Sequence, residues 1–128
     1  MKEGESVTKV YISKEEINKI VQILMEYKFS DLQKISHYSF SLGMKDTNEK
    51  EIEETFSRFD KIKMIMHRKR ESGYNNHDLF YLKENGHYIL YAVNLDKKPP
   101  ELINAYVVER NFNNFMRHII KQYKNKLF

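Results

Sequence analysis

The hydrophobic period of this chain changes near residue 62, and that change limits the fold more than any single motif does. Before it, apolar residues recur at helical spacing: Ile17, Ile20, Val21 and Leu24, then Leu32, Ile35, Tyr38 and Leu42, then Ile52, Phe56 and Phe59. After it, Met64 and Met66 alternate with Ile65 and His67, and strand-like runs follow at residues 78–83, 88–95 and 102–108. A helical stripe returns only at the end, through Phe112, Phe115, Met116, Ile119, Ile120 and Tyr123. This order predicts one α+β domain: N-terminal helices, then a three- to four-stranded antiparallel sheet, then a C-terminal helix packing back on it.

Local chemistry sharpens the boundaries. Residues 1–6 read as a frayed leader, and Val7 to Ile12 alternates well enough for a short strand. Ser13 and Glu16 form a capping box ahead of a first helix over 14–29, with Ile12 as its staple residue. Ser30 and Gln33 repeat the signature for a second helix, which Gly43 is placed to end. Asn48 and Glu51 open a third. Asn85-Gly86 predicts a type I′ hairpin turn, because both central residues of that turn need positive φ. The nearly continuous apolar run after it places residues 88–95 centrally in the sheet. Pro99 and Pro100 keep their stretch out of the sheet, and Asn111 or Asn113 caps the last helix.

A chain of 128 residues is long enough to bury one core without staples. It has no Cys, which excludes disulfides and thiolate metal sites and suits a reducing compartment. No secretory h-region and no membrane-length apolar run is visible, so the expectation is a cytoplasmic protein with no membrane partner. The five histidines (His37, His67, His77, His87 and His118) do not fall at ligand spacing, and no glycine loop or nucleophile motif is present. Neither a metal nor a cofactor is expected.

Charge divides where the period does. Residues 1–60 hold 9 Lys/Arg against 12 Asp/Glu, whereas residues 61–128 hold 13 against 6. A basic sheet half suits a polyanion such as RNA, or an acidic protein partner. The chemistry left open by the missing motifs is metal-free RNA cleavage, which needs only a base for the 2′-OH, an acid for the leaving oxygen and cations for the phosphate. Arg68 and Arg70 sit two apart, so a strand would put them on one face, where the alternative is an edge strand blunted by charge. Tyr106 either stacks a base or fills the core. Arg110 ends the last strand, where it either meets phosphate or pairs with a nearby carboxylate. His37 lies off the apolar stripe of its helix, His67 is expected half buried, and His87 is expected to flank the turn. No acid follows Glu109, so Arg117, His118, Lys121, Lys124 and Lys126 either complement a helix dipole or track phosphates.

Several short segments resemble a known group. These are Glu51-Ile52-Glu53-Glu54-Thr55-Phe56, Arg68 and Arg70 with Glu71-Ser72-Gly73, Leu90-Tyr91-Ala92-Val93 and Ile103-Asn104-Ala105-Tyr106, followed by Arg110, Arg117 and Tyr123. Together they resemble the BrnT and RelE group of ribonuclease toxins, within the barnase–EndoU–colicin–RelE superfamily that includes phage endoribonucleases. His37-Tyr38-Ser39 through Met44 is similar to the histidine-bearing helix of related domains. The resemblance covers residues 34–123. It implies a metal-independent endoribonuclease with an antitoxin partner, His37, Arg68, Arg70, Tyr106 and Arg110 as catalytic residues, and Lys69, Arg117, Lys121 and Lys124 on the RNA. Two positions depart from the pattern: Tyr106 stands where the group tends to have Arg, and Ser41 where related domains often place one. Each removes a cation from the site. The alternatives are a non-catalytic nucleic-acid-binding module and a phage or immunity-type protein-interaction domain.

Overall fold

The computed structural model describes residues 5–35, 49–70 and 75–128. Strand β1 (Glu5–Tyr11) comes first and begins inside the stretch read as a leader. Helix α1 (Lys14–Leu24) follows, with the Ser13 hydroxyl accepting from the Glu16 amide, one half of the expected capping box, while the Ser13 amide donates to the Phe128 carbonyl at 3.0 Å. A single 3₁₀ turn (Phe29–Asp31) leads into the two-residue strand β2 (Gln33–Lys34). Helix α2 (Glu49–Phe56) and a second 3₁₀ turn (Phe59–Lys61) precede the meander. That meander is β3 (Ile62–Arg70), β4 (Asn75–Leu82), β5 (Tyr88–Asn94) and β6 (Glu101–Val108), closed by α3 (Phe112–Gln122). The Asn111 side chain caps α3.

Among the described residues the strands form one six-stranded sheet in the order β1-β3-β4-β5-β6-β2. It is mixed, because β2 runs parallel to β6 while the other neighbours are antiparallel. The expected architecture of N-terminal helices ahead of a three- to four-stranded antiparallel sheet is therefore corrected. The chain enters as a strand, and its partner β3 lies more than fifty residues further on, a pairing that local periodicity does not encode. The second helix fails for a different reason. Leu32 is buried, as a helical stripe would require, but the backbone there is extended, and the Gln33 amide bonds the Pro100 carbonyl at 2.9 Å. From residue 36 onward that predicted helix, with His37 and its expected end at Gly43, lies outside the described residues.

The hairpin turn is also not type I′. Gly86 has φ of 89°, whereas no other described residue has positive φ. The Gly86 amide bonds the Lys83 carbonyl at 3.0 Å, so the turn puts one left-handed residue at its end, where glycine avoids a Cβ clash.

Each face of the sheet has its own core. On one face, α1 and α2 bury Ile17, Val21, Leu24, Ile52 and Phe56 against Ile65, Leu79, Tyr81, Ile89, Tyr91 and Val93. On the other, α3 buries Phe112 and Ile119 against Val7, Val10, Met64, Met66, Phe80 and Tyr88. The alternation along β4 and β5 feeds both cores at once, which is why these strands are buried throughout most of their length. The outer edge of β1 is covered from Val10 onward by the chain end. Leu127 pairs parallel with Val10, and the Phe128 amide bonds the Val10 carbonyl at 2.8 Å.

Two buried tyrosines fasten α2 to the sheet. The Tyr81 hydroxyl donates to the Phe56 carbonyl at 2.7 Å and the Tyr91 hydroxyl to the Ile52 carbonyl at 2.6 Å. Phe56 closes the helix, so its carbonyl is one of those that a helix end leaves without an intrahelical partner. Burial, reinforced by Tyr91, holds the Tyr81 phenol well above its ordinary pKa and keeps it a donor. Tyr81→Phe is expected to cost about 1–3 kcal/mol, because it strands a buried carbonyl while preserving the ring. Urea denaturation midpoints of the two proteins measure this, and an unchanged midpoint would show that Phe56 finds another donor.

Candidate functional site

Helix α3 crosses its face of the sheet diagonally, from Tyr88 near the β4–β5 turn toward Val10 on β1. It leaves one corner of that face to polar groups. Strand alternation puts Arg68 on β3, Asn76 and Asp78 on β4, Ala92 on β5, and Asn104 and Tyr106 on β6 in this corner. The Arg68 Nε donates to Asp78 Oδ2 at 2.5 Å, and the Asn76 side-chain amide donates to Asp78 Oδ1 at 2.8 Å. Asp78 and Asn76 are 5% and 3% exposed, so the carboxylate is a buried charge stabilised by a guanidinium and an amide. The Asn76 Oδ1 is buried and finds no donor among the described residues. Tyr106 is half-buried. Burial, with the Asp78 charge, raises its phenol above the ordinary value, and Arg68 opposes that rise. Arg68 and Tyr106, 38 positions apart in the sequence, thus belong to one electrostatic cluster.

The other expected residues are distributed around this corner or away from it. Arg110 is exposed at the end of β6, close enough to Tyr88 to lower a phenol pKa that burial raises. Arg117, His118 and Lys121 are exposed on α3, and Lys124 is exposed just beyond it. Arg117 donates to the Asn114 side chain one turn back. Among the described residues, no carboxylate lies at ion-pair distance from Arg110, Arg117, Lys121 or Lys124. Lys69 shares a face with Ile65 and His67, so it stands on the opposite side of the sheet from Arg68. Arg70 ends β3 opposite Glu5, with its side chain outside the description, and His37 lies wholly outside it.

Sequence reading missed Asp78 and Asn76 as members of the cluster. An aspartate leading directly into the apolar run Leu79-Phe80-Tyr81-Leu82 was the available signal, since a carboxylate in a central strand must be paired. It also missed a histidine pair on the α1/α2 face. His67 and His77 are directly opposed across β3 and β4, with ring centroids 4.6 Å apart. Tyr11 stacks on His77 at 6.5 Å, and the Thr8 hydroxyl, at a register shift of β1, meets His67 Nδ1. Burial lowers the pKa of His77 to about 4, with the neighbouring His67 adding to the effect and Asp96 opposing it. His67 is shifted in the same direction, again chiefly by burial. Among the described residues, no three His, Asp or Glu side chains converge at metal-binding distance. No helix among them is long and apolar enough to cross a membrane.

No protein-family model matches the chain, and no curated protein or solved structure matches it.

The histidine pair makes stability depend on pH in a defined window. The folded-state pKa of His77 is depressed below its unfolded value of about 6.5, so the unfolded chain binds the proton first. Its contribution is complete above that value and is lost as pH falls toward about 4. Between pH ~7.5 and ~5, where most carboxylates stay ionised, this one group is expected to remove about 2 kcal/mol. Urea midpoints in EDTA buffer at both pH values, for wild type and His77→Gln, test it. The variant is expected to lose less over the same interval, and equal losses would remove His77 as the cause.

Proposed function

We propose that this protein binds RNA on the α3 side of its sheet. The observation that carries this reading is where the charge division of the sequence falls in space. The helices on one face, α1 and α2, carry six acids and three lysines, whereas α3 and the chain after it carry cations and no acid. A polyanion is therefore repelled from the helix-covered part of one face and attracted to the other. Arg117 and Lys121, one turn apart on α3, and Lys124 just beyond it track the phosphates, and Arg110 extends the same surface. Tyr106 offers an aromatic surface at the uncovered corner on which a base stacks. The resemblance of residues 34–123 to ribonuclease toxins supports the same ligand.

Asp78 accepts hydrogen bonds on both carboxylate oxygens, which makes it a poor proton acceptor, and it engages Arg68. This favours binding over cleavage for the described part of the site. A second reading, metal-independent cleavage, is favoured by one observation: the Tyr106 phenol is held protonated beside a guanidinium, as a donor to a leaving 5′-oxygen would be. The base then comes from elsewhere, and His37 is the residue the sequence marks for it.

Binding is tested by fluorescence anisotropy with a labelled single-stranded RNA across a salt series. Log K is expected to fall linearly with log salt, and Arg117→Gln/Lys121→Gln/Lys124→Gln is expected to flatten the slope by about 2, at roughly 0.7 per lost phosphate contact. No RNA binding at low salt, or an unchanged slope in the triple variant, would point instead to an acidic protein partner. Cleavage is tested with end-labelled RNA in EDTA. If Tyr106 is the acid, Tyr106→Phe loses roughly 100-fold in rate while retaining affinity. Cleavage that is undiminished in Tyr106→Phe and lost in His37→Ala would reassign the acid, and intact RNA with every protein would leave binding alone.

A further inference from the structure

His67 and His77 have no part in the RNA-binding reading, and their geometry calls for a separate account. Directly opposed residues on antiparallel strands have Cβ atoms about 4.5–5.5 Å apart, close enough for two imidazoles to meet a common ligand. The Thr8 hydroxyl lies against both the His67 carbonyl, at 3.3 Å, and Nδ1 of the same residue. That contact orients the ring, which also meets the Asn75 side chain. His77 Nδ1 is buried with no hydrogen-bond partner.

We propose that His67 and His77 together chelate one divalent transition-metal ion, of the Zn²⁺ or Cu²⁺ class, on the sheet face opposite α3. Neutral imidazole is a preferred ligand for these ions. Each imidazole coordinates through the lone pair of its neutral form. The hydrogen bond between Thr8 and the ring is the kind of support that orients metal-binding histidines. Electrostatics act in both directions. Asp96 favours a cation here and hydrogen-bonds the Asn75 side chain at 3.0 Å, whereas Lys9 and Lys69 disfavour one. The Lys9 ammonium lies over the Phe128 ring, 5.3 Å from its centroid. Two protein ligands leave the remaining coordination positions to water or to an anion, so the site is weaker than a closed four-ligand one. Sequence spacing hides such a pair, because the ligands meet across a strand ladder rather than along one helix or loop.

The test uses the full chain, stripped with EDTA and dialysed, then titrated with Zn²⁺ and Cu²⁺ by calorimetry, with histidine ring resonances followed by NMR during the Zn²⁺ titration. One ion per chain is expected, with the His67 and His77 rings shifting before those of His87 and His118. His67→Asn and His77→Asn are each expected to weaken binding at least roughly tenfold, while His87→Asn leaves it unchanged. Mg²⁺, which prefers oxygen ligands, is expected to give no heat. Zn²⁺ that shifts only the other histidine rings would overturn the site, as would unaltered affinity in both variants. The NMR readout on the wild type decides the question even where a variant fails to fold. RNA binding plays no part in this test.

Discussion

The pairing of β4 with β5 is the constraint on which the rest of the structure depends. Both strands are buried on both faces, so their register decides the composition of two cores at once. Leu79, Tyr81, Ile89, Tyr91 and Val93 supply one core, and Phe80 and Tyr88 supply the other. A slip of one residue would exchange these sets and drive Asp78 into the core beneath α1 and α2. The turn that fixes this register is five residues long, and Gly86 supplies its left-handed position. The same register brings the hydroxyls of Tyr81 and Tyr91 to the carbonyls of α2, so the placement of that helix follows from the pairing of two strands far from it in sequence.

From this frame the charge pattern acquires a direction. A sheet covered on both sides separates whatever its two helical layers carry, and here the layers come from opposite ends of the chain. The acidic first half contributes α1 and α2, and the basic second half contributes α3. A modest net charge of +4 thereby becomes a molecule with unlike faces. Such a field orients an approaching polyanion before any contact forms, and salt screens it over about 10 Å at ~0.1 M.

What was legible in the sequence was whatever local periodicity encodes. The Ser13 cap, α2, the four strands of the meander and the α3 stripe all follow from spacing and capping chemistry within a dozen residues. What was not legible depends on distant partners. β1 is recognisable as a strand from Val7 to Ile12, but nothing local says that it joins β3 and extends the sheet. β2 is two residues long, held by Pro100 and Leu102 of the segment it meets, and its apolar neighbours imitate a helix. The turn at Asn85-Gly86 was located correctly, but its type depends on the length of the loop and not on the dipeptide. The site shows the same division. Arg68 and Tyr106 were visible as residues of interest, whereas Asp78, which engages the first and perturbs the second, was concealed by the strand's hydrophobic character. The His67–His77 pair exists only through register.

Arg68 illustrates why residue type alone does not assign a role. A guanidinium on a basic sheet reads as a phosphate ligand, yet this one is mostly buried and is bonded to a carboxylate that is 5% exposed. A pair of that kind contributes little net charge to a distant polyanion, because the two fields nearly cancel beyond a few ångströms. Its energetic importance lies in the cost of breaking it, since removing either partner leaves a charge in a poorly solvated site. The long-range attraction in the proposed binding therefore comes from Arg110, Arg117, Lys121 and Lys124, which are exposed. The buried cluster of Arg68, Asn76 and Asp78 acts at contact distance: it gives the uncovered corner of the sheet a fixed arrangement of donors and acceptors beside Tyr106. In the proposed RNA complex the two parts separate affinity from selectivity, the first set by the exposed cations on and around α3 and the second by side chains that the sheet holds in place.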